Sequence, residues 1–265
     1  MRKIRITALK ITALIALTGF GLMPAQANEK FRADYSISAI GIPVGKSRFQ
    51  TNVGEDGSYS VEGTLRSSGV ARLFASINGS LIAKGAKSNN TVSSRQFSAR
   101  YTEGKKAKST NFAISGGTIT GAKNTPERKK PKKWVPLKQS DLAGTLDPIA
   151  AIMVPAASAR EVCGRTLKAF DGLMRMDVRL SYLRTVPFST RGFKGNVVTC
   201  RGKFVPISGY DSNKKDINWM RDNGVIDVAF APVGTTGYFA PVNAQIKTRL
   251  VNLRIRATRF EQLTD

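Results

Sequence analysis

Apolar and polar residues alternate along most of the chain after residue 28, and this period of two is typical of half-buried β-strands. In Phe31–Ser38, for example, the apolar residues occupy every second position. Similar stretches predict roughly a dozen strands in all. They lie at residues 31–38, 44–53, 58–66, 77–87, 91–101, 107–115, 118–122, 165–171, 173–184, 195–205, 225–231, 238–247 and 249–259.

The connections between these strands are short and contain turn residues. Gly54-Glu55-Asp56-Gly57 and Asp171-Gly172 predict hairpin turns, because Asp-Gly supplies the positive φ that tight hairpins need. Short connections imply antiparallel pairing. So many strands cannot lie flat in one sheet, so the sequence predicts a mainly β fold with a large curved or spiral antiparallel sheet, similar to a half-barrel. Two packed sheets are the alternative.

One principal helix is predicted over residues 147–153. Asp147 can cap its N-terminus, Pro148 suits the first helical position, and the following residues are apolar. We expect this helix to pack against the concave face of the sheet. A second short helix is predicted near residues 213–222.

The alternating pattern is interrupted at residues 126–138, which are rich in proline and basic residues. Proline removes backbone donors and like charges repel, so an extended, exposed linker within the domain is expected.

The first 27 residues have the pattern of a cleavable signal peptide. Four basic residues precede the apolar run from Ile11 to Phe20, and Ala25-Gln26-Ala27 is an A-x-A cleavage signal. The run is too short for a stable membrane anchor. We therefore expect an exported, periplasmic protein without a transmembrane anchor, in which residues 28–265 form a single β-rich domain.

The composition is strongly basic, with 42 Lys and Arg against 18 Asp and Glu. Removal of the signal peptide leaves a net charge of +20. Such a charge favours anionic partners. In an exported protein these are lipid headgroups, lipopolysaccharide or wall polymers rather than nucleic acid. Weak, unspecific attraction to a negative surface is the alternative.

The chain contains no histidine. This excludes Ser-His-Asp and Cys-His nucleophiles and histidine-ligated metals. No other catalytic, cofactor-binding or metal-binding pattern is recognisable, so we expect a non-enzymatic protein without cofactor or metal. A carboxylate-dependent hydrolase of wall polymers is the least favoured alternative.

Cys163 and Cys200 are the two cysteines. In an exported protein an even number of cysteines predicts a disulfide. A metal pair would need further soft ligands, and a redox dithiol normally has closely spaced cysteines.

Several short motifs are spread over the chain after residue 28. They are Tyr35 with Gly41-Ile42-Pro43-Val44-Gly45, the segment Leu146–Ala151, Cys163–Thr166 with Phe170-Asp171-Gly172, Cys200 with Pro206–Tyr210, and the strands of Tyr238–Phe260. Together they resemble a family of exported bacterial proteins, domain of unknown function 3108. The resemblance implies a periplasmic curved-sheet protein with no agreed activity. The layout is also similar to spiral-sheet envelope-integrity proteins with one disulfide, and more loosely to half-barrel lipoprotein carriers.

Two candidate binding regions follow from the pattern. The first is a basic segment beside a tryptophan, which could contact an anionic surface: Arg128, Lys129, Lys130, Lys132, Lys133 and Trp134. Alternatively, it is a solvated linker. The second is a set of strand residues that could line an apolar groove for acyl chains: Phe49, Leu65, Ile82, Phe97 and Phe112. Periodicity does not distinguish this groove from an ordinary core.

We therefore expect an exported envelope protein that supports envelope integrity by contacting an anionic envelope component or a partner envelope protein. The alternative function is a periplasmic carrier of lipid or lipoprotein acyl chains.

Overall fold

A computed structural model describes residues 29–69, 76–88 and 91–263 of the chain. The expected signal peptide, residues 1–27, lies outside the described residues. The strands are β1 (Glu29–Ala39), β2 (Ile42–Val53), β3 (Ser58–Ser67), β4 (Ile77–Ser88), β5 (Thr91–Glu103), β6 (Lys106–Ser115), β7 (Thr118–Thr125), β8 (Trp134–Val135), β9 (Val154–Pro155), β10 (Thr166–Phe170), β11 (Arg175–Thr190), β12 (Phe193–Ser208), β13 (Tyr210–Asp211), β14 (Val225–Pro232), β15 (Tyr238–Lys247) and β16 (Asn252–Leu263).

The fold is mainly β, as predicted, and is built on one large antiparallel sheet of 14 strands. The strand order is β10-β11-β12-β14-β15-β16-β1-β2-β3-β4-β5-β6-β7, and β9 pairs with β15. Strands β1 to β7 form a meander. The sheet is continuous because β1 pairs with both β2 and β16, which joins the two halves of the chain.

The two edges of this sheet, β7 and β10, approach each other without forming a ladder between them. The segment between residues 143 and 146 links them through isolated bridges from Ala143 to Thr118 in β7 and from Leu146 to Ala169 in β10. Nearby, the rings of Phe112 and Phe170 lie 5.3 Å apart in an edge-to-face contact. The sheet is thus strongly curved but not closed.

The expectation of one principal helix is not confirmed. The described chain contains three short α-helices, Gln139–Leu142, Pro148–Ile152 and Lys215–Asn223. The helix at Pro148 forms as predicted at its N-terminus, where the Asp147 carboxylate accepts hydrogen bonds from the amides of Ile149 and Ala150. It has only five residues, because the chain turns into β9 directly afterwards.

Three clusters of buried side chains stabilise the sheet. The first joins β1 and β16 to the turn end of the β11–β12 hairpin, where the ring centroids of Phe193 and Phe260 lie 5.8 Å apart. The second lies beneath the Pro148–Ile152 helix and includes Phe97, Phe112 and Phe170. The third surrounds the disulfide.

The disulfide between Cys163 and Cys200 is present, as predicted, with a Cα–Cα distance of 5.6 Å. It attaches the segment before β10 to the centre of β12. Both cysteines are buried, together with Val154, Val162 and Phe230.

Candidate apolar ligand site

The curved sheet partly encloses a cavity of about 860 Å³ between its two halves. One wall consists of residues from β1 to β6, and the other wall of residues from β10, β11 and β14 to β16. The Pro148–Ile152 helix borders the cavity through Ile149 and Ile152, and the next residue, Met153, also lines the cavity. This helix therefore covers part of the concave face without filling the space.

The lining is mostly apolar, and β1 directs alternate side chains into it. Strand β1 contributes Phe31, Ala33, Tyr35 and Ile37, and β11, β14, β15 and β16 contribute Leu180, Val228, Ala244 and Ile255. A volume of this size falls within the range of small-molecule sites in proteins.

Tyr238 borders one end of the cavity, but its hydroxyl is buried and does not face the open space. The residue is 1% exposed and lines the cavity, yet its hydroxyl has no hydrogen-bond partner among the residues that the structure describes. Burial raises the pKa of Tyr238, so the hydroxyl keeps its proton and remains a donor. The other lining tyrosine near β15 differs, because the Tyr35 hydroxyl donates to the carbonyl of Pro241 at 2.7 Å.

Tyr238 is fixed by its surroundings. The ammonium of Lys87 lies 4.9 Å from the centroid of the Tyr238 ring and donates to the carbonyl of Thr236. The Tyr238 amide in turn donates to the Thr236 hydroxyl. These contacts hold the Tyr238 main chain and one face of its ring in place.

The opposite end of the cavity, near the β5–β6 turn, carries an ion pair. Lys108 Nζ lies 2.7 Å from a carboxylate oxygen of Glu103 and 5.5 Å from the centroid of the Tyr101 ring. The hydrogen bond from Lys108 lowers the pKa of Glu103. This end is therefore polar and charged, in contrast to the apolar middle.

The five residues proposed from the sequence as groove lining occupy three different environments. Phe49 and Leu65 line the cavity. Phe97 and Phe112 belong to the buried cluster under the helix, where their rings stack at 5.1 Å, so they are core. The proposal was wrong for Ile82, which is 41% exposed, because Leu81 and Ala83 take the inward positions of β4.

Sequence reasoning missed most of the cavity residues, among them Tyr238, Leu81 and Met153. The alternation in β4 is ambiguous, since Leu81, Ile82 and Ala83 are all apolar. Nothing in the local pattern distinguishes Tyr238 from a core tyrosine, because its distinctive property is a missing partner.

The basic segment lies apart from the cavity lining. Residues 126–133 are exposed, and the chain is then fixed where β8 pairs with β13, Trp134 facing Asp211 and Val135 facing Tyr210. Trp134 is half-buried. Arg128 is close enough to Lys108 to oppose the raised pKa of that lysine. The segment is thus an exposed cationic stretch whose C-terminal end is anchored, rather than an extended linker throughout.

Comparisons with known proteins find similarity only to proteins described as of unknown function. A family model described as protein of unknown function (DUF3108) matches residues 30–247. Among curated proteins, none matches the chain. A crystal structure of a beta-barrel-like protein of domain of unknown function DUF1849 from Brucella abortus is similar, with 9% sequence identity, a TM-score of 0.49, and coverage of 89% of this chain and 98% of that chain. Within the described residues, none of the helices has the length and apolar character needed to span a bilayer.

Proposed function

The chain belongs to the DUF3108 family, and since that family has no assigned activity, we propose from the geometry that the protein binds the acyl chain of an amphiphile in its cavity. The role is non-enzymatic, and the protein acts as a carrier or sensor of such molecules after export to the periplasm. The single observation that carries this proposal is the continuous apolar cavity of about 860 Å³.

The composition of the cavity supports an acyl chain rather than a polar metabolite. Its middle section offers aliphatic and aromatic surface from both walls, and burial of each methylene of a ligand contributes about 0.8 kcal/mol. A polar ligand would lose its hydration there without gaining hydrogen bonds.

Binding is tested with a fluorescent fatty acid that is displaced by unlabelled saturated fatty acids of increasing length. We expect the affinity to rise roughly fourfold per methylene until the cavity is filled, as 0.8 kcal/mol per methylene implies. An affinity independent of chain length, or no displacement, would contradict the proposal.

Two variants locate the ligand. Ala99 lines the cavity on β5, so Ala99→Trp places an indole in the ligand's space and should reduce affinity at least tenfold. Gln96→Trp on the same strand is the matched control, because Gln96 is exposed and lies outside the cavity lining. Equal loss in both variants would indicate damage to the fold rather than a blocked site.

Tyr238→Phe is a second control that keeps the shape of the ring. The Tyr238 hydroxyl is buried away from the open cavity, so fatty acid affinity should match that of the wild type. The free protein should keep or gain stability, since the variant removes a buried donor that has no partner in the described structure.

We propose as a second function that the basic segment contacts an anionic envelope component or a partner envelope protein, and thereby supports envelope integrity. Its support is the exposure of Arg128, Lys129, Lys130, Lys132 and Lys133 beside the anchored Trp134. Each cation near an anionic surface contributes about 1 kcal/mol, and salt screens the attraction.

The test is binding of lipopolysaccharide by the purified protein and by a variant with these five cations changed to Ser. We expect the variant to bind at least tenfold more weakly at low salt, with a smaller salt dependence. Unchanged binding would exclude this segment as the contact.

A further inference from the structure

Two neighbouring hairpin turns expose large apolar side chains at one end of the sheet. Ile40 and Ile42 flank Gly41 in the β1–β2 turn and are 75% and 52% exposed, and Leu250 in the β15–β16 turn is 71% exposed. The turns are joined, because the Ile40 amide donates to the carbonyl of Asn252 at 3.1 Å. We call Ile40, Ile42 and Leu250 the apolar tip.

The backbone at Ile40 makes this exposure more informative. Ile40 has φ of 50° and Gly41 has φ of 80°, as in a two-residue hairpin with both central residues in the left-handed region. Asn-Gly is the favoured pair for such a turn, and a β-branched residue is strongly disfavoured there. Ile40 therefore contributes strain to the folded protein and gains no burial in return. A residue that is unfavourable in both respects points to a contact outside the chain.

Basic residues surround the apolar tip. Lys46, Lys247, Arg249 and Arg254 are exposed on the strands and turns next to it. The carboxylate of Asp216 neutralises Arg249, and the other three cations keep the local charge positive. Apolar side chains at the end of a cationic surface have the composition of proteins that bind anionic membrane interfaces.

We propose that the apolar tip inserts into the headgroup region of an anionic lipid bilayer. The cavity residues Ile37, Ile246 and Ile255 belong to the same strands as the two turns and lie towards this end of the sheet. Docking in this way would place the cavity wall next to the lipid surface. The proposal does not depend on the cavity being a ligand site, since the tip and its charges suffice for docking.

The experiment measures cosedimentation of the purified protein without the expected signal peptide, residues 28–265, with vesicles of phosphatidylcholine alone or mixed with phosphatidylglycerol, at 50 and 300 mM NaCl. We expect binding only to the mixed vesicles, and weaker binding at the higher salt. Equal binding to both vesicle types, or to neither, would overturn the proposal.

The variant Ile40→Asn/Leu250→Ser removes most of the apolar tip, and asparagine suits the left-handed position. We therefore expect at least a tenfold loss of vesicle affinity together with an unchanged or raised Tm. Ile82→Ser is the matched control, because Ile82 is an exposed isoleucine on the outer face of β4, and it should bind like the wild type.

Two further readouts distinguish membrane docking from ligand binding in the cavity and from dimerisation. Fluorescent fatty acid binding should be unaffected in the tip variant, so failure of the cavity proposal and failure of the docking proposal give different results. If the wild-type protein is a dimer in solution and the tip variant is a monomer, the tip is an interface between two copies, and membrane docking is refuted.

Discussion

Removal of the disulfide should destabilise the protein without changing its fold. The bond joins Cys163 to Cys200 across a sequence separation of 37. For a loop of this length, the chain-entropy relation predicts a loss of about 4 kcal/mol in the free energy of unfolding. For a domain of this size, that corresponds to a fall in Tm of about 8–16 °C.

The fold should survive because other contacts hold the same segment in place. The Gly164 amide donates to the carbonyl of Leu180 at 2.9 Å, and the Leu180 amide donates to the carbonyl of Arg165 at 2.8 Å. Val162 is fully buried in the surrounding cluster. The bond thus restrains the unfolded chain more than it shapes the native one.

The assay is urea denaturation of the wild type with and without dithiothreitol, and of Cys163→Ala/Cys200→Ala. The reduced wild type and the variant should lose similar stability, and dithiothreitol should have no effect on the variant. A loss below about 1 kcal/mol in both would refute the loop-entropy reasoning. Reaction of both thiols with a thiol reagent in the untreated native protein would show that the bond is absent.

Three further predictions concern residues near the two sheet edges, β7 and β10, which we call the seam, and the nearby helix N-cap Asp147. Phe170→Ala should reduce the free energy of unfolding by about 3–5 kcal/mol in urea titrations, because Phe170 is fully buried; a loss below about 1 kcal/mol would show that the seam repacks. Gly172→Ala should destabilise by more than about 1 kcal/mol in the same assay, since its φ is 96° and an added Cβ would lie 2.0 Å from Thr110 Cγ2; wild-type stability would contradict this close approach. Burial raises the pKa of Asp147 despite its hydrogen bonds from Ser94 and two amides, so its contribution to stability is full below its unfolded pKa and falls as pH rises through the native pKa. The difference in stability between the wild type and Asp147→Asn should therefore be larger at pH 4 than at pH 7. A larger difference at pH 7 would show that the native pKa of Asp147 is lowered rather than raised.

The strands were largely predictable because most have one buried face, which produces a visible alternation. Tyr238–Lys247 was predicted with the bounds that the structure has, and Asp147 caps a helix as expected. The extension of β11 and β12 to the turn of their hairpin was not predicted, since Pro187 and Gly195 are typical of strand ends. In the structure both residues pair within the ladder, and that end of the hairpin reaches Phe260.

The candidate site was less predictable for two physical reasons. First, an inward-facing residue produces the same sequence alternation whether it packs against another side chain or lines a cavity. Phe49 and Phe97 were therefore indistinguishable by pattern. Second, the size of the cavity depends on how far the sheet curls, and this depends on contacts between β7, β10 and residues 143–146 that are distant in sequence.

The pairing of β1 with β16 has a consequence for how the protein acquires its structure. The first described strand obtains one of its two neighbours only from the last, through a register that runs from Lys30–Leu263 to Ala39–Leu253. Contacts between such distant segments slow folding, because a long loop must be ordered before they form. The cavity wall therefore stays incomplete until β16 is available, so a chain still emerging from a ribosome has no complete cavity.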